Sequence, residues 1–435
     1  MKFKSIGGVS PAVPFREALF RGLAPDGSLY VPESIPPLPP RFFEAHPSTS
    51  FPEVATAVIA GFAGDIPETE ISRIVRAAIS FPVPLIQIEE GLYVLELFHG
   101  PTLAFKDIGV RFMAQTLSAF LAKEGGQVTI LTATSGDTGG AVAHGFHGVP
   151  NINVYLLYPS GKVSRIQEQQ MTTLGGNIHA MEVDGTFDDC QKLIKETLLD
   201  PDVVLARRFT TANSINIARL LPQVAYYIWA DLQLRMLFDR HNPVIVVPSG
   251  NLGNLTAALY AKNMGIAAEG FVAATNANKV LVDYLSTGSV VPATPVHTYS
   301  SAMDVGNPNN ISRIQHLFGN NFEFLRSVLS AVSISDEETS DEIQRTFERS
   351  GYLLDPHTAV GIRAARIGKG KKGSTPFIVP ATAHPAKFPE IVEQATGSPV
   401  TMPKELRAIL SKPKQSLQIG PDYRAWKGII LRNRG

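Results

Sequence analysis

The sequence holds a single cysteine, Cys190, and only two tryptophans. One thiol cannot form an intramolecular disulfide, so a secreted scaffold stapled by disulfides is excluded. Charge of one sign is missing too: 39 Lys and Arg balance 39 Asp and Glu. No basic block gives the footprint of a nucleic-acid binder, and no nucleic-acid partner is expected. Long apolar runs are absent. Residues 54–63 are too short and too interrupted by glycine to span a bilayer, so no membrane partner is expected. The opening residues 1–8 contain no signal-peptide core, and a cytoplasmic protein is the expectation.

What is present is glycine, proline and enough apolar residues for a large interior. The 435 residues are too many for one core, and 44% of them are hydrophobic. Pro32, Pro36, Pro37, Pro39 and Pro40 forbid a long helix in the first ninety residues, while 54–62 and 71–79 carry helical periodicity. A small, mostly helical N-terminal domain over residues 1–92 is predicted. Beyond it the grammar becomes strand, glycine loop, helix. Residues 127–134 form a β-branched run that ends in Ser135-Gly-Asp-Thr-Gly-Gly140, and 243–247 a second that ends in Ser249-Gly-Asn-Leu-Gly-Asn254. Further strands are expected at 151–158 and 270–274, and a helix capped by Ser335 runs to about Arg349. Such alternation predicts an α/β fold with parallel sheets covered on both faces. The boundaries drawn are 93–220 for a smaller α/β domain and 221–435 for a larger one. The Gly-Lys-Gly-Lys-Lys-Gly stretch from Gly368 reads as a solvated loop.

Each glycine loop offers backbone N–H groups and the positive end of a helix dipole to an anion. Two such cradles point to a ligand or ligand pair with two anionic groups. Neither loop is a nucleotide motif: one looks in vain there for Gly-x-x-x-x-Gly-Lys-Ser/Thr or Gly-x-Gly-x-x-Gly. Lys106 sits among apolar neighbours at the start of a helical stripe of Ile108, Phe112, Met113, Thr116 and Leu117. Burial there frees its amine to attack a carbonyl. On spacing alone, a lysine snorkelling from the helix start to water is the simpler reading.

The segment Glu96-Leu-Phe-His-Gly-Pro-Thr-Leu-Ala-Phe-Lys-Asp107 resembles the cofactor-lysine segment of the threonine synthase family. Thr132-Ala-Thr-Ser-Gly-Asp-Thr-Gly139 and Val247-Pro-Ser-Gly-Asn-Leu-Gly-Asn254 are similar to two further family segments. So are Ala273-Ala-Thr-Asn276, Asp355-Pro-His-Thr-Ala359 and Thr382-Ala-His-Pro-Ala-Lys-Phe388, together with Phe15, Glu17, Gly22, Asp26, Gly27, Leu29 and Tyr30. The resemblance implies two α/β domains enclosing pyridoxal 5'-phosphate (PLP), the fold type II arrangement. It implies that Lys106 carries the cofactor, and that Gly250, Asn251, Leu252, Gly253 and Asn254 cradle its phosphate. Thr382 would meet the pyridine nitrogen and Asp137 the phenolic oxygen. The implied substrate is O-phospho-L-homoserine, converted with water to L-threonine and phosphate. Ser135, Gly136 and Thr138 would hold its carboxylate. Lys162, Arg165, Asn213, Ser214 and Arg219 are the candidates for its phosphate.

Other residues read more plainly. His99, His357 and His384 fit no metal template and are expected to satisfy loop backbone groups, so no metal is expected. Cys190 reads as a buried thiol, and Phe105 and Phe112 as packing around the cofactor. Oligomeric state is not legible. Two rival functions remain at this level: a related lyase or hydroxy-amino-acid dehydratase on the same scaffold, and a non-catalytic binding protein that keeps the fold. The second would ordinarily have lost the lysine or a loop glycine, and Lys106, Gly136, Gly139, Gly250 and Gly253 are all in place.

Overall fold

The computed structural model describes residues 1–44, 48–134, 136–238, 242–372 and 375–432. Two parallel sheets carry the chain. In Val128–Ala133 and Val244–Pro248 every residue is buried, as strands covered on both faces require. The five-stranded sheet runs Leu417–Ile419, Ile178–Val183, Ile152–Pro159, Val128–Ala133, Phe209–Thr211, all parallel. The six-stranded sheet runs Leu329–Ser333, Gly270–Thr275, Val244–Pro248, Phe377–Ala381, Leu92–Glu96, Leu85–Glu89, antiparallel only at its last pair.

Sheet membership departs from the linear boundaries in two places. Leu92–Glu96 pairs with Phe377–Ala381, so the strand leading to Lys106 belongs to the larger sheet. The C-terminal strand Leu417–Ile419 returns to the smaller one. Parallel partners are joined by crossovers, so neighbours in the sheet need not be neighbours in the chain. The tail is anchored there by Trp426, 1% exposed, whose Nε1 donates to Thr197 Oγ1 at 2.8 Å. Its ring meets Tyr155 edge-on at 5.8 Å. Trp426→Ala is expected to cost about 3–5 kcal/mol in urea unfolding, the range for emptying a buried aromatic site. A loss under about 1 kcal/mol would mean that the tail does not hold the small sheet.

The N-terminal region contains the expected helices as Phe51–Phe62 and Glu68–Ala78. Ser50 and Glu53 form a capping box for the first, whose Val54, Ala55, Val58, Ile59 and Phe62 are buried. The region also holds a three-stranded antiparallel sheet, Val13–Pro14, Lys2–Ser5 and Tyr30–Pro32, that the sequence reading missed. Strands of two to four residues give too little alternation to detect, and Pro14 and Pro32 sit at strand ends, where proline is tolerated. A second correction concerns Gly368: the helix Pro356–Lys372 continues through it, and Gly373 lies outside the described residues. A Cβ on Gly368 would come within 2.8 Å of the Phe377 ring, so glycine here permits close helix–sheet packing. The Ser335 cap stands as read, with Asp336–Ser350 behind it.

Candidate active site

Lys106 is the first residue of the helix Lys106–Glu124. The loop before it is sewn to the end of Phe377–Ala381: Leu97 N donates to Ala381 O, Phe105 N to Thr382 O and His384 N to Leu103 O, at 2.9–3.1 Å. Leu103 adopts a left-handed backbone, φ 56°, to make that turn. Behind the lysine, the buried carboxylate of Asp107 accepts from Thr102 N at 2.8 Å and Thr102 Oγ1 at 2.7 Å. Burial raises its pKa to about 6 against the pull of those bonds. Lys106 opens onto a cavity but is otherwise surrounded by protein. Burial lowers its ammonium to about 8, with Asp137 opposing the shift and Lys387 and Arg219 adding to it. The free amine is therefore available near neutrality. The rate at which cofactor-free protein captures pyridoxal phosphate should rise with pH and level off above about 8. A rate still climbing at the ordinary lysine value of 10.5 would contradict this environment.

The first glycine loop follows Val128–Ala133. Thr134 Oγ1 accepts from Gly136 N at 3.0 Å and Gly139 N at 2.8 Å, closing the turn. Gly136 takes φ 150°, and a Cβ there would lie 2.5 Å from the Gln167 side chain. Ser135 lies outside the described residues. The helix Asp137–Phe146 then begins, and the N–H groups of Asp137 and Thr138 meet no acceptor among the described residues. Asp137 is buried, accepting from Gln167 Nε2 at 3.2 Å and pairing with Lys387 Nζ at 2.6 Å. Burial alone would raise this carboxyl, but Lys387, Lys106 and His357 together hold it well below the ordinary range.

The second loop follows Val244–Pro248. Leu252 takes a left-handed conformation, φ 60°, and caps the helix Gly253–Met264. Gly253 and Asn254, read as loop, are thus its first two residues. A Cβ on Gly250 would sit 2.7 Å from Met303 Cα, so only glycine fits. Among the described residues no protein acceptor meets the N–H groups of Gly250, Asn251, Leu252, Gly253 and Asn254. Asn251 braces the loop through Ser214 Oγ at 2.9 Å and Asn309 N at 2.6 Å. Asn254 Oδ1 accepts from Tyr226 and Tyr227 hydroxyls, which leaves its buried Nδ2 without a partner. A run of unpaired N–H donors with an orphaned amide, at a helix N-terminus, suits a phosphate.

Both loops, Lys106 and Thr382 open on one cavity of about 490 Å3. It is lined by Lys106, Asp137, Thr138, Gly250, Asn251, Leu252, Gly253, Asn254 and Thr382, as well as Asn213, Ser214 and Arg219. Gly136 is buried and is not among the residues lining it. Lys162 and Arg165 are exposed and do not line it; Ser164 between them caps the helix Arg165–Thr172. Asn213 is committed elsewhere, its amide bonded to both Ala133 N and Ala133 O. Arg219 is 3% exposed, donates to Ala212 O, and has an unpaired Nε. Burial lowers it to about 10, with Asp107 opposing.

Sequence reasoning missed Lys387, Lys192 and Lys195. Lys387 lay inside a quoted segment, and a lysine in a Pro-rich turn carried the signal. Lys192 and Lys195 line the cavity from the helix Phe187–Leu199. His357 Nε2 accepts from Ala302 N at 3.1 Å and His384 Nδ1 from Ala386 N at 3.1 Å, so both serve loop backbone. His99 differs, pairing with the Glu96 carboxylate at 2.7 Å. Among the described residues no cluster of His, Cys, Asp and Glu is arranged to hold a metal. Phe105 lines the cavity and Phe112 is core. Cys190 is buried, which pushes its thiol up to about 12.

Comparison with known proteins adds independent findings. A family described as "Pyridoxal-phosphate dependent enzyme" matches residues 80–379, "Threonine synthase N terminus" matches 2–79, and "Threonine synthase, C-terminal" matches 358–430. The chain is 43% identical to the threonine synthase of Haemophilus influenzae, with 97% of each chain covered. It is 40% identical to that of Escherichia coli over the whole of both. The crystal structure of the E. coli protein superposes with TM-score 0.93 at 39% identity, covering 100% of both chains. A PLP-bound threonine synthase from Brucella melitensis gives 0.91 at 36%, again over 100% of both.

Proposed function

The chain belongs to the threonine synthase family of PLP enzymes, and from that premise we propose that it converts O-phospho-L-homoserine and water to L-threonine and phosphate. The observation that carries this reading is a single cavity joining a half-buried lysine, a phosphate cradle and a second anion-binding helix start. The cradle and the helix start answer to the cofactor's phosphate and the substrate's carboxylate, and the substrate's own phosphate needs a third site.

When bound, PLP supplies an electron sink for charge developing on the substrate's carbons. The chain's residues do the rest. Gly250, Asn251, Leu252, Gly253 and Asn254 would bind the cofactor phosphate, and the Thr382 hydroxyl, with no partner among the described residues, would meet the pyridine nitrogen. Asp137 would meet the phenolic oxygen. Lys106 would hold the cofactor, and its amine, when free, would move protons at the substrate's Cα and then Cβ. The N–H groups at the start of Asp137–Phe146, with Ser135, Gly136 and Thr138, orient the substrate carboxylate. Phosphate departs from Cγ, which takes up a proton to become the methyl group, and the oxygen of water bonds to Cβ as water gives up a proton. Of the five residues proposed for the substrate phosphate, Arg219 has the best support, as a cavity-lining cation with no carboxylate partner among the described residues, and Ser214 lies beside it on the lining. Lys192 and Lys195 take the place of Lys162 and Arg165 as the cations at the mouth. No helix among the described residues is long and apolar enough to cross a membrane, and we place the protein in the cytoplasm.

The test is product stoichiometry. PLP-loaded protein incubated with O-phospho-L-homoserine is expected to release phosphate and L-threonine in equal amounts. Phosphate accompanied by a keto acid would identify an eliminating lyase on the same scaffold.

A further inference from the structure

One charged group in the site has no part in the chemistry above. Lys387 is fully buried, in the short turn Pro385–Lys387, with its ammonium 2.6 Å from Asp137 Oδ1. Burying an ammonium is costly unless it is paired. This one sits against the cavity, on the carboxylate that lines it. The other bond of Lys387, to Thr102 O at 3.1 Å, duplicates one that Gln170 Nε2 makes to the same oxygen at 3.1 Å. Backbone satisfaction therefore does not require the lysine.

We propose that Lys387 is a positioning residue for the cofactor's proton: its ammonium keeps Asp137 ionised, so the proton between Asp137 and the phenolic oxygen of PLP stays on the phenolic oxygen. This rests on the assignment of Asp137 to that oxygen. Two acidic oxygens facing each other share one proton, and the nearest fixed charge decides which of them holds it. Asp137 is faced by Lys387 from the turn, Lys106 from its helix, His357 from the helix Pro356–Lys372, and the Gln167 amide from Arg165–Thr172. Lys106 is committed to the cofactor, and His357 is engaged through both ring nitrogens, by Ala302 N and by Asp355 Oδ1 at 2.8 Å. Lys387 is then the cation in direct contact with the carboxylate.

Removing a cation from an acidic pair makes the pair keep its proton to higher pH. In PLP-loaded Lys387→Met, the midpoint of the pH-dependent visible absorption of the bound cofactor should rise by about one unit or more, the usual effect of one close charge. Asp137→Asn, which leaves Lys387 facing the phenolic oxygen alone, should lower the midpoint by a similar amount. In the double variant, Lys387→Met should move the midpoint much less than it does when Asp137 is intact. An Asp137→Asn shift without a Lys387→Met shift overturns the role of Lys387 and leaves the Asp137 assignment standing. No shift in either variant overturns both. Should Lys387→Met fail to fold, the direction of the Asp137→Asn shift decides, since a rise would contradict a cation facing the cofactor.

Discussion

Lys106→Ala is expected to lower turnover by at least about 10,000-fold, equivalent to about 5.5 kcal/mol of barrier. The substitution removes the covalent hold on the cofactor and the amine that moves protons at two carbons, and such coupled losses exceed a single proton-transfer contribution. Cofactor binding should survive in weakened form, because Gly250 to Asn254 still offer their N–H groups to its phosphate. The measurement is kcat with O-phospho-L-homoserine under saturating PLP, beside a thermal melt to show an intact fold. A kcat within tenfold of the parent would place the chemistry on another residue.

The second large effect concerns the cradle, where two glycines make a controlled comparison. Gly250→Ala would bring a methyl to 2.7 Å from Met303 Cα, a backbone atom with no freedom to move aside. Displacing that loop should raise the dissociation constant for PLP by about 100-fold, or about 2.7 kcal/mol. Gly253→Ala meets nothing in the protein closer than 3.4 Å. The cofactor-free fold should therefore tolerate it, with an unfolding midpoint near the parent's. Its PLP affinity should nonetheless fall on the proposal that the phosphate packs against this stretch of backbone. Equilibrium dialysis against PLP measures both. An alanine at Gly253 that leaves affinity untouched would mean that the phosphate lies elsewhere.

Much of this site was legible in the sequence because the chemistry depends on local chain geometry. A strand, a glycine turn and a helix start are contiguous, so Ser249 to Asn254 and the loop around Asp137 could be read as anion cradles from spacing alone. Lys106 could be placed at a helix start in the same way, though its role rested on resemblance. What failed was long-range. Nothing near Asp137 in the chain announces Lys387, 250 residues later, because the two meet only when the turn after Phe377–Ala381 folds over the helix Asp137–Phe146. Lys162 and Arg165 failed in the opposite sense. Their charge made them candidates, but both are exposed, Lys162 in the turn before Ser164 and Arg165 at the start of the helix that Ser164 caps. Sheet membership was beyond reach for a similar reason: Leu92–Glu96 and Leu417–Ile419 look like ordinary strands, and only their crossovers decide which sheet each joins.

The central claim is that Lys106 carries the cofactor in this cavity, and it is tested most directly by reducing the PLP-loaded protein with borohydride and mapping the modified peptide by mass spectrometry. The account predicts the pyridoxyl phosphate mass on the peptide containing Lys106, with Lys387 unmodified. Modification of Lys387 or of any other lysine, with Lys106 unlabelled, would contradict it.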